Sequence, residues 1–210
     1  EAKSEVFYGH DCYEVEFASG ERIVADAGHL WLVNARSNRK AGVLTTEQMA
    51  ESHLEGSDHR PVYSIDVPAA LQLPEAELPI PPYTLGAWLG DGASAENRIT
   101  THPEDDAVLD NIRADGYEVA RKSRYTATIY GLRPALRTNG LRGNKHVPEV
   151  YLRASYSQRL ALLQGLMDTD GTCSSEGQAF FSNTRKNLID TVFELVRSLG
   201  LKARVYESRA

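Results

Sequence analysis

At 210 residues, 41% of them hydrophobic and 25% charged, the chain can bury one or two cores, and it holds neither a membrane-length apolar run nor a signal-peptide pattern. Cys12 and Cys173 stand far apart with no Cys-x-x-Cys, which argues against a disulfide framework or a zinc site and fits a reducing cytoplasm. The net charge of −6 is unevenly spread: residues 1–82 hold 6 Lys and Arg against 14 Asp and Glu, whereas residues 83–210 hold 17 against 15.

In chain order, "CYEVEFASGERIVADAGHLWLV" predicts strands over 12–18 and 21–25, turned at Ser19-Gly20, and a third short strand running into Leu32. "NARSNRKAG" reads as loop, "TTEQMAESHL" as a Thr-capped helix, and the stretch from Ser57 to Pro82 as extended chain broken by prolines. Residues 34–82 are therefore expected to connect two differently built units. From Tyr83 the pattern predicts helix 83–90, strand 95–101, helix 103–115, strands 117–121 and 125–131, and helix 133–139. It then restarts with helix 156–169, strand 178–182, helix 184–199 and strand 202–207.

The restart is the informative feature. "YTLGAWLGDG" (83–92) and "LLQGLMDTDG" (162–171) both end an apolar helix on an Asp-Gly pair, at Asp91 and Asp170. Each is followed by a short strand and an amphipathic helix closed by a glycine, Gly116 or Gly200. The natural arrangement is a pseudo-two-fold pair of αβ repeats, about 83–150 and 151–210. Gly86 and Gly90 lie on one helix face, as do Gly165 and Thr169. Helical glycine costs about 1 kcal/mol relative to alanine, a cost that makes sense if the two helices meet backbone to backbone.

Such packing delivers Asp91 and Asp170 together at two helix C-termini, which carry partial negative charge and disfavour anions. Either one carboxyl pKa rises or a cation sits between them. Oxygen ligands with little else nearby suit Mg2+, which keeps waters and engages phosphates, and a metal placed between attacking water and leaving oxygen serves phosphodiester hydrolysis. Gly92 and Gly171 are expected to end their helices in the left-handed conformation. An EF-hand reading of "DTDGTCSSE" fails, because the glycine falls at the wrong place.

A basic segment points to the substrate. Between Glu118 and Glu149 there is no acid, and Arg121, Lys122, Arg124, Arg133, Arg137, Arg142 and Lys145 fall there. Interleaved with Tyr125, Thr126, Thr128 and Tyr130, they read as a basic face laid along phosphates; a merely solvated strand and loop is the plainer alternative.

The two Asp-Gly stretches closely resemble the paired LAGLIDADG motif of homing endonucleases. That resemblance covers residues 83–210 and implies an α+β pseudo-two-fold saddle that straddles double-stranded DNA as a monomer, with Asp91 and Asp170 as metal-binding catalytic acids. "NKHVPEVYLRASYSQRLALLQGLMDTDG" resembles the Lys-x-x-Pro block of intein-borne endonucleases, which makes Lys145 the lysine near the active site. "GERIVADAGHLWLV" resembles the intein splicing block that carries a histidine, here His29. Asp26 in place of the usual Thr, and Trp31 two residues after the histidine, resemble class three inteins. "LPEAELPIPPYTLGAWLGDG" resembles inteins of bacterial replicative DNA helicases.

The resemblance implies a partial all-β splicing (Hint) segment over 1–33, host-protein flanks at either end, and an intein-encoded endonuclease. No terminal splicing block is found before residue 1 or after Ala210, so splicing by this chain alone is not expected. The alternatives are a LAGLIDADG DNA-binding module that does not cut, or an inert insertion in a splicing domain. Retention of both acids favours the enzyme.

Overall fold

The computed structural model describes residues 5–36, 41–52 and 54–207. They form an α+β chain of two compact units, Glu1–Pro68 and Ala69–Ala210. Residues 37–40, part of the expected loop, lie outside the described residues, as do 208–210 at the close of the second repeat.

In the first unit, β1 (Cys12–Glu16) and β2 (Arg22–Asp26) pair antiparallel, Cys12 opposite Asp26. Gly20 supplies the positive φ of their turn. Next, β3 (Leu30–Ala35) lies between β4 (Gly42–Thr45) and the two-residue β5 (Tyr63–Ser64), both antiparallel to it. Period-two alternation turns Trp31 and Val33 inward, where they join Ala25, Leu44 and Met49 in a small core. Met49 comes from α1 (Thr46–Ala50), which Thr45 and Gln48 start with a reciprocal capping box.

The segment 34–82, expected as one connector, is thus divided. Its first half completes the β3 sheet, and its end belongs to the second unit. There the proline-broken chain is fastened by side chains: Gln158 bonds both the N–H and the C=O of Ala76, and the Tyr151 hydroxyl does the same for Ile80. The fully buried Arg159 donates to the carbonyls of Leu71, Ala154 and Ser198.

The second unit is built around two helices, α2 (Pro82–Asp91) and α6 (Tyr156–Asp170). Every residue of α2 from Tyr83 to Leu89 is buried, as befits a helix surrounded by protein. Pro82 starts it where a missing N–H costs nothing, and Asp115 accepts from the N–H and hydroxyl of Thr84.

The first repeat continues with β6 (Arg98–Thr100), α3 (Asp106–Ala114), β7 (Val119–Ser123), β8 (Thr126–Ile129) and α4 (Leu132–Thr138). Its sheet has the order β6-β8-β7, all antiparallel, with a register shift at Lys122. A one-turn helix, α5 (Glu149–Leu152), precedes α6, and the second repeat runs through β9 (Gly171–Cys173), β10 (Ala179–Phe181) and α7 (Lys186–Ser198). Helices α3 and α7 are each followed closely by a glycine of positive φ, Gly116 and Gly200, as expected. The expected strand 202–207 does not form: Leu201 to Glu207 is irregular.

Candidate active site

The α2–α6 contact is as close as the small residues predicted. A Cβ on Gly86 would lie inside contact distance of the Leu162 carbonyl and 2.9 Å from the Leu166 nitrogen, and one on Gly165 would strike the Tyr83 carbonyl. One on Gly90 would overlap the Thr169 side chain and come 3.4 Å from the carboxyl carbon of Asp170. The Thr169 hydroxyl donates back to Gly165 and Leu166, so it fills its place without an orphaned donor. Both helices end side by side.

Asp91 is half-buried, and its carboxyl pKa is raised, first by burial and then by the negative charge of Asp170. Lys145 partly opposes this. Its ammonium is buried, donates to the carbonyls of Leu89 (2.9 Å) and Gly90 (2.8 Å), and sits 5.4 Å over the Trp88 ring. A cation therefore caps the very carbonyls that make the end of α2 negative. Burial, with Arg185 nearby, pushes the Lys145 pKa down to about 8, while Asp170 and Asp91 pull it the other way.

Asp168, the other acid of the second motif, accepts from the Tyr83 hydroxyl at 2.6 Å and ties α6 to α2. The expected left-handed helix ends are corrected by the backbone. Gly92 (φ −71°) and Gly171 (φ −93°) are extended. They are glycine for want of space, since a Cβ would strike the Trp88 carbonyl and ring at the first and Met167 at the second.

The basic segment divides. Arg121 is spent inside the protein, on the carbonyls of Thr101, His102 and Arg124 and in an ion pair with Asp106, so its expected place on a DNA face is not free. Lys122 lies 5.2 Å over the Tyr130 ring, and Arg124 5.2 Å over that of Tyr125. Arg133, Arg137 and Arg142 line one cleft of about 590 Å³ with Pro134 and Thr138, and Arg142 also donates to the Ala95 carbonyl.

Two polar residues outside the expected set enter the site. The amide of Asn183 donates to Asp170 at 2.7 Å, and Arg185 donates to the Ser94 hydroxyl at 3.3 Å. No motif marked them; only their place one strand beyond an Asp-Gly could have drawn attention.

Residues 157–210, from α6 past α7, match the family described as LAGLIDADG-like domain. Over this segment the chain is similar to LAGLIDADG-like domains. The match covers the second repeat, whose acid is Asp170. A protein from Mycobacterium intracellulare, named replicative DNA helicase DnaB, is 40% identical over 227 aligned positions, 99% of this chain and 38% of that protein. The chain thus spans well under half the length of this relative.

In the separate first unit, Trp31 is buried and its indole N–H donates to the Thr46 hydroxyl at 2.9 Å. His29 is exposed with its ring edge against Trp31, 4.7 Å between centroids. Asp26 accepts from the Gly28 N–H and pairs with His10 at 2.7 Å, contacts that hold its pKa down.

Among the described residues no helix is long and apolar enough to cross a membrane, and no cluster of three or more His, Cys, Asp and Glu could enclose a metal. The carboxylate pair nevertheless suits Mg2+, which needs only one or two protein carboxylates when water and phosphate complete its shell.

Proposed function

We propose that the chain is the endonuclease-bearing part of an intein inserted in a replicative DNA helicase, and that its LAGLIDADG-like domain hydrolyses both strands of duplex DNA at a specific site. The observation that carries this reading is the backbone contact at Gly86 and Gly165, which gives up helix propensity and brings together two carboxylates that repel. The helicase relative supports the host, and His29 and Trp31 in the first unit support a splicing element around the nuclease. The protein would act as a monomer, since both carboxylates come from one chain, and in the cytoplasm, where its two free cysteines would stay reduced.

In this mechanism Asp91 and Asp170 would hold Mg2+, which when bound activates water and stabilises charge developing on the phosphate. The chain's own residues do the remainder. Lys145, fixed by two carbonyls, holds positive charge beside the carboxylates and moderates their repulsion. Arg133, Arg137 and Arg142 bind backbone phosphates and hold the duplex in place, contacts that position without reading sequence. Thr126 and Thr128, half-exposed on β8, face outward on the strand whose Ala127 and Ile129 fill the core.

The test is cleavage of a plasmid bearing the uninterrupted helicase sequence, with Mg2+ and with EDTA. Linear product that needs the metal supports the proposal. Tight, specific binding without any cut strand would point to the DNA-binding module instead.

A further inference from the structure

Two carboxylates that do the same work on opposite strands should have matching surroundings, and here they do not. The repeats can be aligned through their own pairing: Gly92 bridges Ile99 as Gly171 pairs with Phe181. Two residues beyond these partners stand Thr101 and Asn183, and four beyond stand Pro103 and Arg185.

Thr101 is buried, with its hydroxyl turned to the carbonyls of His102 and Asp105. Asn183 uses both ends of its amide: Nδ2 donates to Oδ2 of Asp170 at 2.7 Å, and Oδ1 accepts from the Arg185 backbone N–H at 2.9 Å. One oxygen of Asp170 is thereby fixed, and Asp91 receives no such bond among the described residues. Arg185 is exposed and has no carboxylate partner among them. Its guanidinium crosses from the second repeat to the Ser94 hydroxyl of the first, a neutral contact of 3.3 Å that an anion would readily replace. Ser94 adjoins Ala95, whose carbonyl Arg142 holds, so Arg185 extends the arginine cleft toward the carboxylates.

We infer that Asn183 is a positioning residue that holds Asp170 and Arg185 in one arrangement, that Arg185 takes a substrate phosphate beside the carboxylate pair, and that the two strands are consequently cut by unequal halves of the site. The inference rests on the nuclease reading above.

The test follows each strand separately on a supercoiled plasmid carrying the uninterrupted helicase sequence, with duplex binding measured in EDTA. Asn183→Ala and Asn183→Asp should slow the cutting of one strand by about tenfold or more relative to the other, the usual size of an outer-shell loss, so that nicked circles accumulate. Duplex binding by both variants in EDTA should fall by no more than it does in Arg185→Ala, because Asn183 acts on DNA only through Arg185. Arg185→Ala should weaken binding in EDTA and lower the slope of log affinity against log salt by about one, with Arg185→Lys recovering most of it. In the metal-free protein, Asp170→Asn should shift the NMR signals of the Asn183 side-chain amide, and Asp91→Asn should not.

Equal slowing of both strands in the Asn183 variants, unchanged cutting, or a salt slope that ignores Arg185 would overturn the inference while leaving the nuclease reading intact. A parent protein that cuts neither strand would overturn both.

Discussion

Asp91 and Asp170 are the residues on which the proposed chemistry turns. Asp91→Asn or Asp170→Asn should abolish strand cutting while duplex binding persists, because the phosphate contacts lie on other residues; equal loss of both would assign the acids to the fold. Asp91 also makes a prediction about stability. Its pKa is raised in the folded protein, so the unfolded chain releases that proton at lower pH and folding opposes the charge. The favourable contribution of the neutral carboxyl is complete below the ordinary carboxylate range and is lost as pH rises through the raised folded value. In EDTA, Asp91→Asn should therefore melt higher than the parent at pH 7, with the gap closing as the solution is acidified. A variant that melts lower at pH 7 would show that the carboxylate is stabilised by partners the fold does not reveal.

Helices α2 and α6 carry the energetics at the next scale. Gly86→Ala sets a methyl against the Leu162 carbonyl, a backbone atom that cannot rotate away, so the helices must part along their length. Overpacking of this kind costs about 1–3 kcal/mol, and the urea midpoint should fall accordingly. Arg159→Met tests the other end of α6. It keeps the bulk but strips the carbonyls of Leu71 and Ala154 of the Arg159 donor and leaves that of Ser198 with only the Leu71 N–H, at about 1–3 kcal/mol for each buried one left without a partner. An unchanged midpoint in either variant would refute the packing argument.

These elements also show how far the sequence could be read. Asp-Gly at the end of a glycine-bearing apolar helix is a local pattern, and it appears twice, so the carboxylate pair and its helix contact were legible. Lys145 was found by resemblance, but its capping of the Leu89 and Gly90 carbonyls was not, because it joins positions 55 and 56 residues apart. Asn183, Arg185 and Arg159 were missed for the same reason: each is an ordinary polar residue until folding chooses its partner. Strands β4, β5 and β9 are too short for an alternation to register. Conversely, "LKARVY" after Gly200 has strand-like residues, yet no neighbouring strand pairs with it among those described.

At the scale of the molecule, the acidic total charge conceals a division of labour among the cations of the second unit, and the structure sharpens what salt should reveal. Arg121 is held by Asp106 and three carbonyls, whereas Arg133, Arg137 and Arg142 share an open cleft. If the cleft holds duplex DNA, affinity should fall steeply between 50 and 200 mM salt, by about 10³-fold for some six phosphates neutralised. Arg137→Ala and Arg142→Ala should each weaken binding and lower the slope by about one. Arg121→Ala should leave the slope nearly unchanged and lower the melting temperature instead, since what it loses is an internal tie between α3 and the β7 strand. Measured side by side, the three variants separate a charge that meets DNA from one that only sits near it in sequence. A slope that responds to Arg121 but not to Arg137 or Arg142 would move the duplex off this cleft and onto the face of the β6-β8-β7 sheet.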